Sequence, residues 1–327
     1  MDYAEYQIEL LDYLKCKFIE ANKIINSKYV FLGDQESKYT KYYVRDYTEN
    51  LISRFPANIL EKFEKGSGKE LVRSKDCKTP PKMASIRSSS ALFYNVFESI
   101  DYSKFRWLNH QIYNFTVEEQ LIAFTTNANL DGYLEAEETI IFVESKFAES
   151  YFGKGGTLST SYLMASTNIN SDWQDFFKQF LVQDEFGKPI IFKRKIDKNG
   201  KIKCFYKSIF IRYDGLQMLK HLLGIYKDIK TNITRYKAIK EVVLVNLVWN
   251  INGLNKSLDN INNEVYNDLT KTNVLFKMRE FMQNEIIKLG LDIKFSLEYL
   301  NYQEFIRNHE NEFKLDRYSY LKERYLI

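Results

Sequence analysis

Residues 139–147, TIIFVESKF, carry two charged side chains inside an otherwise apolar stretch. Glu144 and Lys146 are two positions apart, so on a β-strand both side chains lie on the same face. Asp131 stands 13 positions before Glu144, in a short strand-like segment. A hairpin of that length would bring Asp131 beside Glu144. Two carboxylates and one ammonium group would then meet at the surface of a sheet.

Such a trio has the groups needed to hydrolyse a phosphodiester bond. The reaction needs a divalent cation to polarise the phosphate and to generate hydroxide near neutral pH. Mg²⁺ prefers oxygen ligands and keeps several of its waters, so one or two carboxylates can hold it. A nearby lysine can stabilise the developing negative charge. The alternative is a solvated Glu and Lys on an exposed strand, which is common when 28% of residues are charged. The apolar surroundings of Glu144 favour the catalytic interpretation.

The helices and strands that would position Asp131, Glu144 and Lys146 follow one another as in an α/β fold. We predict, along the chain, a helix over 86–98 with Ser88 or Ser89 as N-cap, strands over 120–126, 129–134 and 139–147, a basic hairpin, a helix capped by Asp214, and an apolar strand over 241–250. An apolar run such as EVVLVNLVWN is typical of a central strand buried on both faces. The expected fold class is therefore α/β, a mixed central sheet flanked by helices.

The two ends of the chain are expected to add helices to this core. Residues 1–80 form a helical N-terminal region, with helices over 5–30 and 46–65 followed by a loop over 66–82. Residues 81–255 form the core, and 256–327 form a mostly helical C-terminal region with one strand near 291–295.

Five segments resemble a family of bacterial PD-(D/E)XK restriction-endonuclease-like proteins: IRSSSALFYNVF, NANLDGYLE, IIFVESKFAES, LQMLKHLLGIY and VVLVNLVWN. They lie between residues 86 and 250, about half of the chain. The resemblance implies a metal-dependent nuclease with a restriction-endonuclease-like core. It makes Asp131 and Glu144 metal ligands and Lys146 the catalytic lysine, with Mg²⁺ as the cofactor and Mn²⁺ as a substitute. Leu130 stands where the family motif has Pro, a position that is often substituted.

Further polar residues are candidates for the same site. Folds of this kind often add a carboxylate from the preceding helix or first strand. Glu98 ends the helix at 86–98, and Glu118 and Glu119 open the first strand. Glu119 is a candidate metal ligand and Glu98 an alternative; each of the three is otherwise an ordinary surface residue. Gln217 and His221 share a helix face, four positions apart. The resemblance brings Gln217 to the active site, and His221 is interpreted as a satisfied core histidine.

A basic hairpin over 187–207 is the candidate DNA-binding surface. It holds eight Lys or Arg residues and one Asp, a net charge of +7, in a chain whose net charge is only +4. Phosphates favour such a surface, and a β-hairpin can enter a groove. The predicted DNA contacts are Lys193, Arg194, Lys195, Lys198, Lys201, Lys203 and, at the start of the helix predicted over 86–98, Arg87. The alternative is a solvated hairpin in a lysine-rich chain.

The overall composition narrows the class of protein. The three cysteines are widely spaced and form no CxxC pair, so a zinc site is disfavoured and free thiols fit a reducing cytoplasm. The first residues lack the basic and apolar parts of a signal peptide, and the longest apolar run is too short to span a bilayer. A cytoplasmic protein without membrane contact is expected.

Together these patterns and the resemblance predict a Mg²⁺-dependent endonuclease that cuts double-stranded DNA at specific sequences. Its expected role is the restriction of foreign DNA. Cutting both strands needs two sites, which predicts a homodimer. A restriction role would also pair the protein with a cognate methyltransferase acting on the same site. Two alternatives stay open: a DNA-binding module without catalysis, and a repair or phage-defence nuclease acting on single-stranded DNA or RNA.

Overall fold

A computed structural model describes residues 4–33, 40–66, 69–73, 80–123, 127–153, 155–164, 169–196, 200 and 202–326. The α-helices in these ranges are α1 Glu5–Ile24, α2 Ala57–Lys65, α3 Ser89–Glu98, α4 Glu149–Phe152, α5 Ser171–Lys178, α6 Gly215–Thr231, α7 Ile233–Tyr236, α8 Lys256–Thr272, α9 Val274–Lys288, α10 Tyr302–Asn308 and α11 Arg317–Tyr325. The strands are β1 Arg106–Trp107, β2 His110–Ile122, β3 Asn127–Ala136, β4 Thr139–Lys146, β5 Thr157–Ser159, β6 Ile191–Ile196, β7 Ile202–Lys207, β8 Glu241–Val248 and β9 Lys294–Asn301.

A mixed six-stranded sheet, ordered β1-β2-β3-β4-β8-β9, forms the centre of the fold. Strands β1 to β4 form an antiparallel meander, whereas β4, β8 and β9 run parallel. A small separate sheet, ordered β5-β7-β6, carries the basic hairpin. The chain therefore has the predicted α/β class, with a mixed central sheet and flanking helices.

The alternation of side chains along β4 separates two apolar cores. Ile141 and Val143 face the core that includes residues of α1, α3, α10 and α11. Ile140 and Phe142 face the core built with α5, α6 and α9. Strand β8 is buried at every position after Glu241, as its apolar run predicts. Glu144, on the same face of β4 as Ile140 and Phe142, therefore lies buried between the sheet and a helix, not in solvent.

Helix caps fix where the two helices next to the trio begin. The Ser88 hydroxyl accepts the backbone N–H of Ala91 at 3.2 Å, so Ser88 is the N-cap of α3. The Asp214 carboxylate accepts the backbone N–H of Gln217 at 3.2 Å and caps α6, as predicted. Helix α6 lies very close to the sheet at Gly224, where a Cβ would stand 2.9 Å from the Ala128 side chain.

Several boundaries differ from the sequence-based expectation. Residues 46–65 do not form one helix, because Pro56 disfavours a helical residue before it and α2 begins only at Ala57. The first long strand starts at His110, not near 120, and residues 124–126 lie outside the described part. The C-terminal strand is β9, later and longer than 291–295, and it pairs with β8 along its whole length.

The two ends of the described chain meet on one side of the sheet. Helix α1 packs against α11, and an ion pair joins Lys17 to Glu323 at 3.0 Å. The buried Arg324 guanidinium stacks over the Phe18 ring, 4.8 Å from its centroid. Among the described helices, none combines the length and the apolar character needed to cross a membrane.

Candidate active site

Asp131 lies where strands β3 and β4 part. The pairing of the two strands stops at Gly132 opposite Val143, one residue after Asp131 in β3. Oδ2 of Asp131 then accepts the backbone N–H of Ser145 at 2.8 Å. The carboxylate therefore continues the hydrogen bonding between the two strands where their backbone pairing stops. It is held against Ser145, the residue between Glu144 and Lys146. Gly132 is required beside it, because a Cβ there would lie 1.9 Å from the Phe93 ring.

Glu144, Lys146 and Gln217 form a closed triangle of polar contacts. Oε1 of Glu144 lies 2.8 Å from Nζ of Lys146 and accepts a hydrogen bond from Nε2 of Gln217 at 2.6 Å. Lys146 also donates to Oε1 of Gln217 at 2.8 Å. The side chains of Glu144 and Lys146 are 3% and 21% exposed. The prediction that Glu144 and Lys146 share a strand face and meet Gln217 is confirmed by this geometry.

His221 lies on the other oxygen of the Glu144 carboxylate. Its Nε2 is 3.0 Å from Oε2 of Glu144, and both side chains are almost fully buried. Within the described residues neither of these atoms has the geometry of a hydrogen bond, and Nδ1 of His221 also has no partner. The interpretation of His221 as a satisfied core histidine is therefore wrong in one respect: the ring is buried, but its nitrogens are not satisfied.

Burial and charge act against each other at Glu144 and Lys146. Burial alone would raise the pKa of Glu144, but Lys146 and His221 outweigh it and lower the pKa to about 2. Burial alone would lower the pKa of Lys146, but Glu144 outweighs it and the pKa rises. Both groups are therefore charged at neutral pH, and they form a buried ion pair.

At the neighbouring carboxylates, Asp131 and Glu118, the pKa is raised instead of lowered. Asp131 is half-buried as a residue, but burial of its carboxylate and the nearby charge of Glu144 raise its pKa well above the ordinary value. Burial, together with Glu70 and Glu144, raises the pKa of Glu118 to about 7. These carboxylates have too little positive charge around them, because Lys146 is already paired with Glu144.

Glu118, which the sequence interpretation treated as an ordinary surface residue, is buried in the structure. Strands β2 and β3 pair on both sides of it, but Glu118 and Asp131, which would face each other, do not pair. Glu118 has a left-handed backbone, with φ of 51°, and is only 6% exposed. Its Oε2 has no hydrogen-bond partner within the described residues. Since the turned backbone depends on this local break in pairing, no pattern in the sequence indicated that Glu118 would face inward.

The structure does not bring Glu119 or Glu98 into the group. Glu119 is partly exposed and forms an ion pair with Lys62 at 3.1 Å. The reason is the left-handed backbone at Glu118, which leaves Glu118 buried and its neighbour partly exposed. Glu98 lies at the last residue of α3 and pairs with Lys314 at 3.3 Å. Neither is brought into contact with Asp131 or Glu144.

The predicted DNA contacts lie mostly on the exposed hairpin. Lys193, Arg194 and Lys195 are exposed on β6, and Lys203 is exposed on β7. Lys198 and Lys201 lie outside the described residues. Arg87 is not on the hairpin: it precedes the cap of α3, and its guanidinium stacks on the Phe152 ring at 4.1 Å. The hairpin therefore offers a basic surface, with Arg87 on a separate part of the fold.

The donor atoms at the site suit a hard divalent cation. Within the described ranges, no three His, Cys, Asp or Glu side chains are placed so that together they could hold a metal ion. Mg²⁺ needs fewer, since one or two carboxylates and water usually hold it. The Oε2 atom of Glu118, which has no partner within the described residues, and the pKa of Asp131, which burial and the charge of Glu144 raise, are features that a cation would relieve.

No protein-family model, curated protein or solved structure matches this chain.

Proposed function

We propose that this chain is a Mg²⁺-dependent nuclease of the PD-(D/E)XK type, with a restriction-endonuclease-like fold, that hydrolyses phosphodiester bonds of double-stranded DNA. The observation that carries the proposal is the hydrogen bond from the Ser145 N–H to Asp131, which holds one carboxylate against the strand segment that bears Glu144 and Lys146. The charges of Glu144 and Lys146 both act on the Asp131 carboxylate, which supports one shared site for the three groups.

The residues present fit a divalent cation. Asp131 and Glu144 would hold it, and Glu118 is near enough to affect both electrostatically. Asp131 is buried next to the charge of Glu144, and the nearby Lys146 is already paired with Glu144, so a second negative charge in this poorly solvated place is costly without a cation. When bound, Mg²⁺ supplies polarisation of the phosphate and a more acidic water.

Lys146 and Gln217 have separate tasks in this proposal. The Lys146 ammonium remains charged at neutral pH, because Glu144 raises its pKa, so it stabilises the negative charge that develops on the phosphate. Gln217 contacts both Lys146 and Glu144 and fixes the angle between them. Gln217 is therefore a positioning residue, and its role is to keep the lysine and the carboxylate in one geometry.

The substrate part of the proposal depends on the hairpin. Lys193, Lys195 and Lys203 are exposed on one antiparallel ribbon, and Lys195 pairs directly across from Lys203. A basic ribbon can follow the phosphates along a groove of duplex DNA. Restriction of foreign DNA, with a homodimer for cleavage of both strands, is the biological role that we propose.

Cleavage of supercoiled plasmid tests the proposal. We expect nicked and linear products with Mg²⁺, none with EDTA, and none from Asp131→Asn or Lys146→Ala proteins that keep the wild-type circular dichroism spectrum. Glu98→Gln and Glu119→Gln are matched controls, since each removes a carboxylate outside the site, and both should cut normally. Cleavage at the wild-type rate by Asp131→Asn and Lys146→Ala would refute the nuclease assignment. DNA binding without any cutting would instead favour a DNA-binding module.

A further inference from the structure

A loop over residues 208–214 joins β7, a strand of the basic hairpin, to the start of α6. Asp214 at the end of this loop is the N-cap of α6. The first turn of α6 then carries Gln217, which contacts both Lys146 and Glu144. The position of Gln217 relative to β4 therefore depends on how the loop before the helix is held.

One buried carboxylate on α8 accepts consecutive backbone N–H groups of this loop. Oδ2 of Asp268 accepts the N–H groups of Ile211 at 2.9 Å, Arg212 at 2.7 Å and Tyr213 at 2.9 Å. The Asp268 residue is only 6% exposed. Successive backbone N–H groups that point into one concavity form an anion-binding nest, and hydrogen bonds to an ionised acceptor are stronger than neutral ones. Asp268 therefore fills a nest that the loop forms, and it fixes the loop to α8.

The side chain of Arg212 adds a second link between the loop and α8. Its Nε donates to Oε2 of Glu264, one turn before Asp268, at 2.7 Å, and its Nη1 donates to the carbonyl oxygen of Gly153 at 2.8 Å. The Glu264 side chain is 41% exposed, so solvent screens this ion pair. The buried carboxylate of Asp268 is therefore the stronger of the two links.

Hydrogen bonds connect the loop to the charged pair on β4. The Asp214 carboxylate accepts the backbone N–H of Gln217 at 3.2 Å. Gln217 in turn donates to Glu144 at 2.6 Å and accepts from Lys146 at 2.8 Å. Because the first turn of a helix follows its N-cap, a loop that is released from Asp268 would displace Gln217 from both charged groups.

We propose that Asp268 is a positioning residue of the candidate active site. It holds the start of α6 in the place where Gln217 keeps Lys146 and Glu144 in one geometry. Asp268 acts through the loop and Gln217, not by contact with the substrate. The effect on cleavage rests on the proposed nuclease function, but the effect on Lys146 does not.

Reductive methylation of Lys146, in EDTA and without DNA, measures that effect directly. The Lys146 side chain is 21% exposed and is paired with Glu144, so formaldehyde and cyanoborohydride should modify it slowly in the wild type. Asp268→Ala should raise the rate about tenfold, the effect of one lost hydrogen bond to a charged group. Mass spectrometry of the peptide that contains Lys146 provides the rate. An unchanged rate in folded Asp268→Ala would overturn the inference.

Asp268→Asn gives a graded comparison. The amide keeps one oxygen that can accept the N–H groups of the loop, but it has no charge, and neutral hydrogen bonds are about half as strong. We expect the rate of Lys146 methylation to rise by roughly threefold, between the wild type and Asp268→Ala. If Asp268→Ala does not fold, a wild-type rate in folded Asp268→Asn overturns the inference instead.

Formate tests whether the N–H groups of the loop are the link. Asp268→Ala leaves the nest without its carboxylate, and formate is a carboxylate small enough to replace it. High concentrations of sodium formate should return Lys146 methylation in Asp268→Ala toward the slow wild-type rate. If formate slows the reaction no more than sodium chloride at the same ionic strength, the nest is not the link, and the inference is overturned.

Asp228→Ala is the matched control. Asp228 lies near the other end of α6, where its carboxylate accepts the side-chain amide of Asn232 at 2.7 Å and the hydroxyl of the buried Tyr236 at 2.6 Å. This change also removes a carboxylate and its hydrogen bonds, but it leaves the first turn of α6 intact. Thermal unfolding checks that the proteins are folded. Methylation of Lys146 should match the wild type, and a rise equal to that in Asp268→Ala would identify general destabilisation as the cause and overturn the inference.

Plasmid cleavage connects the inference to the proposed nuclease. Asp268→Ala should lower kcat about tenfold and leave KM unchanged, because Gln217 is displaced while the DNA surface is intact. Asp228→Ala should keep both constants. The two proposals fail separately. Faster Lys146 methylation in Asp268→Ala, with a wild type that never cuts, removes only the nuclease; an unchanged kcat in Asp268→Ala, with a wild type that cuts, removes only the positioning role.

Discussion

The Asp131 carboxylate accepts the backbone N–H of Ser145 at 2.8 Å, at the point where β3 and β4 separate. Ser145 lies between Glu144 and Lys146, and its own hydroxyl is 2.8 Å from the Tyr302 hydroxyl on the opposite face. One hydrogen bond thus ties the candidate ligand on β3 to the strand that carries the other two groups. The relative positions of the three groups depend on backbone atoms, which do not rotate as side chains do.

Two variants of Asp131 distinguish the effect of its negative charge from the effect of its hydrogen bond to Ser145. In Asp131→Asn the side-chain oxygen can still accept the Ser145 N–H, so we expect a stability change within about 1 kcal/mol and at least a 100-fold loss of cleavage. In Asp131→Ala the N–H loses its partner, which costs roughly 1–3 kcal/mol. Urea unfolding and plasmid cleavage measure the two effects. An Asn variant that loses as much stability as the Ala variant would contradict this division.

Glu118 should make the stability of the metal-free protein depend on pH. Its pKa is about 7 in the folded protein and near the ordinary 4.5 when unfolded, so the folded state holds the proton more tightly. Stability from this group is complete below pH 4.5 and is lost as the pH rises through 7, by an amount on the order of 3 kcal/mol.

The comparison with Glu118→Gln isolates that contribution. In EDTA the variant and the wild type should differ least near pH 4, and the variant should be the more stable protein at pH 8. Urea unfolding at both pH values provides the measurement, with Glu119→Gln as the control in which the adjacent, partly exposed carboxylate is removed. A wild-type protein that is at least as stable as Glu118→Gln at pH 8 would argue against a strained carboxylate at this position.

Gln217 should affect the rate of cleavage more than the binding of DNA. Gln217→Leu removes the contacts to both Lys146 and Glu144, so we expect kcat to fall roughly 10- to 100-fold while KM changes little. Gln179→Leu, an exposed glutamine at the end of α5, is the matched control. If KM rises and kcat is unchanged, Gln217 contacts the substrate instead of positioning the lysine.

The local parts of the fold could be predicted from the sequence, and the reason is periodicity. Alternation placed Glu144 with Lys146 on one strand face, the apolar run over 241–250 indicated the buried β8, and Asp214 marked the start of α6. Helical spacing put Gln217 on a face with His221, which the structure brings to the same carboxylate. Each of these depends on residues close in sequence, where side-chain direction follows from the backbone period.

The remaining features depend on contacts between distant residues. The parallel pairing of β8 with β9 joins segments about 50 residues apart, and no local pattern specifies such a partner. The left-handed backbone at Glu118 arises where β2 loses its pairing with β3 opposite Asp131. Glu118 and Glu119 are adjacent in the sequence, and regular alternation along a strand does not indicate that Glu118 is the one that is buried.

The basic hairpin should control the salt dependence of DNA binding. Replacing Lys193, Lys195 and Lys203 by Ala removes three cations from one exposed ribbon. If each neutralises one phosphate, the slope of log K against log salt becomes less steep by about 2.7, because each contact contributes about 0.9 for duplex DNA. Anisotropy titrations of a paired duplex in EDTA, between low and physiological salt, provide that slope.

The matched control replaces Lys256, Lys271 and Lys277 by Ala. These three lysines are also exposed, but they are not on the hairpin. Lys256 is the first residue of α8, Lys271 is in its last turn, and Lys277 is on α9. Because the net charge of the protein changes by the same amount, a general electrostatic effect would reduce the slope equally in both triple variants. A larger reduction in the hairpin variant identifies the ribbon as the phosphate-binding surface, and equal reductions would remove it from the proposed DNA interface.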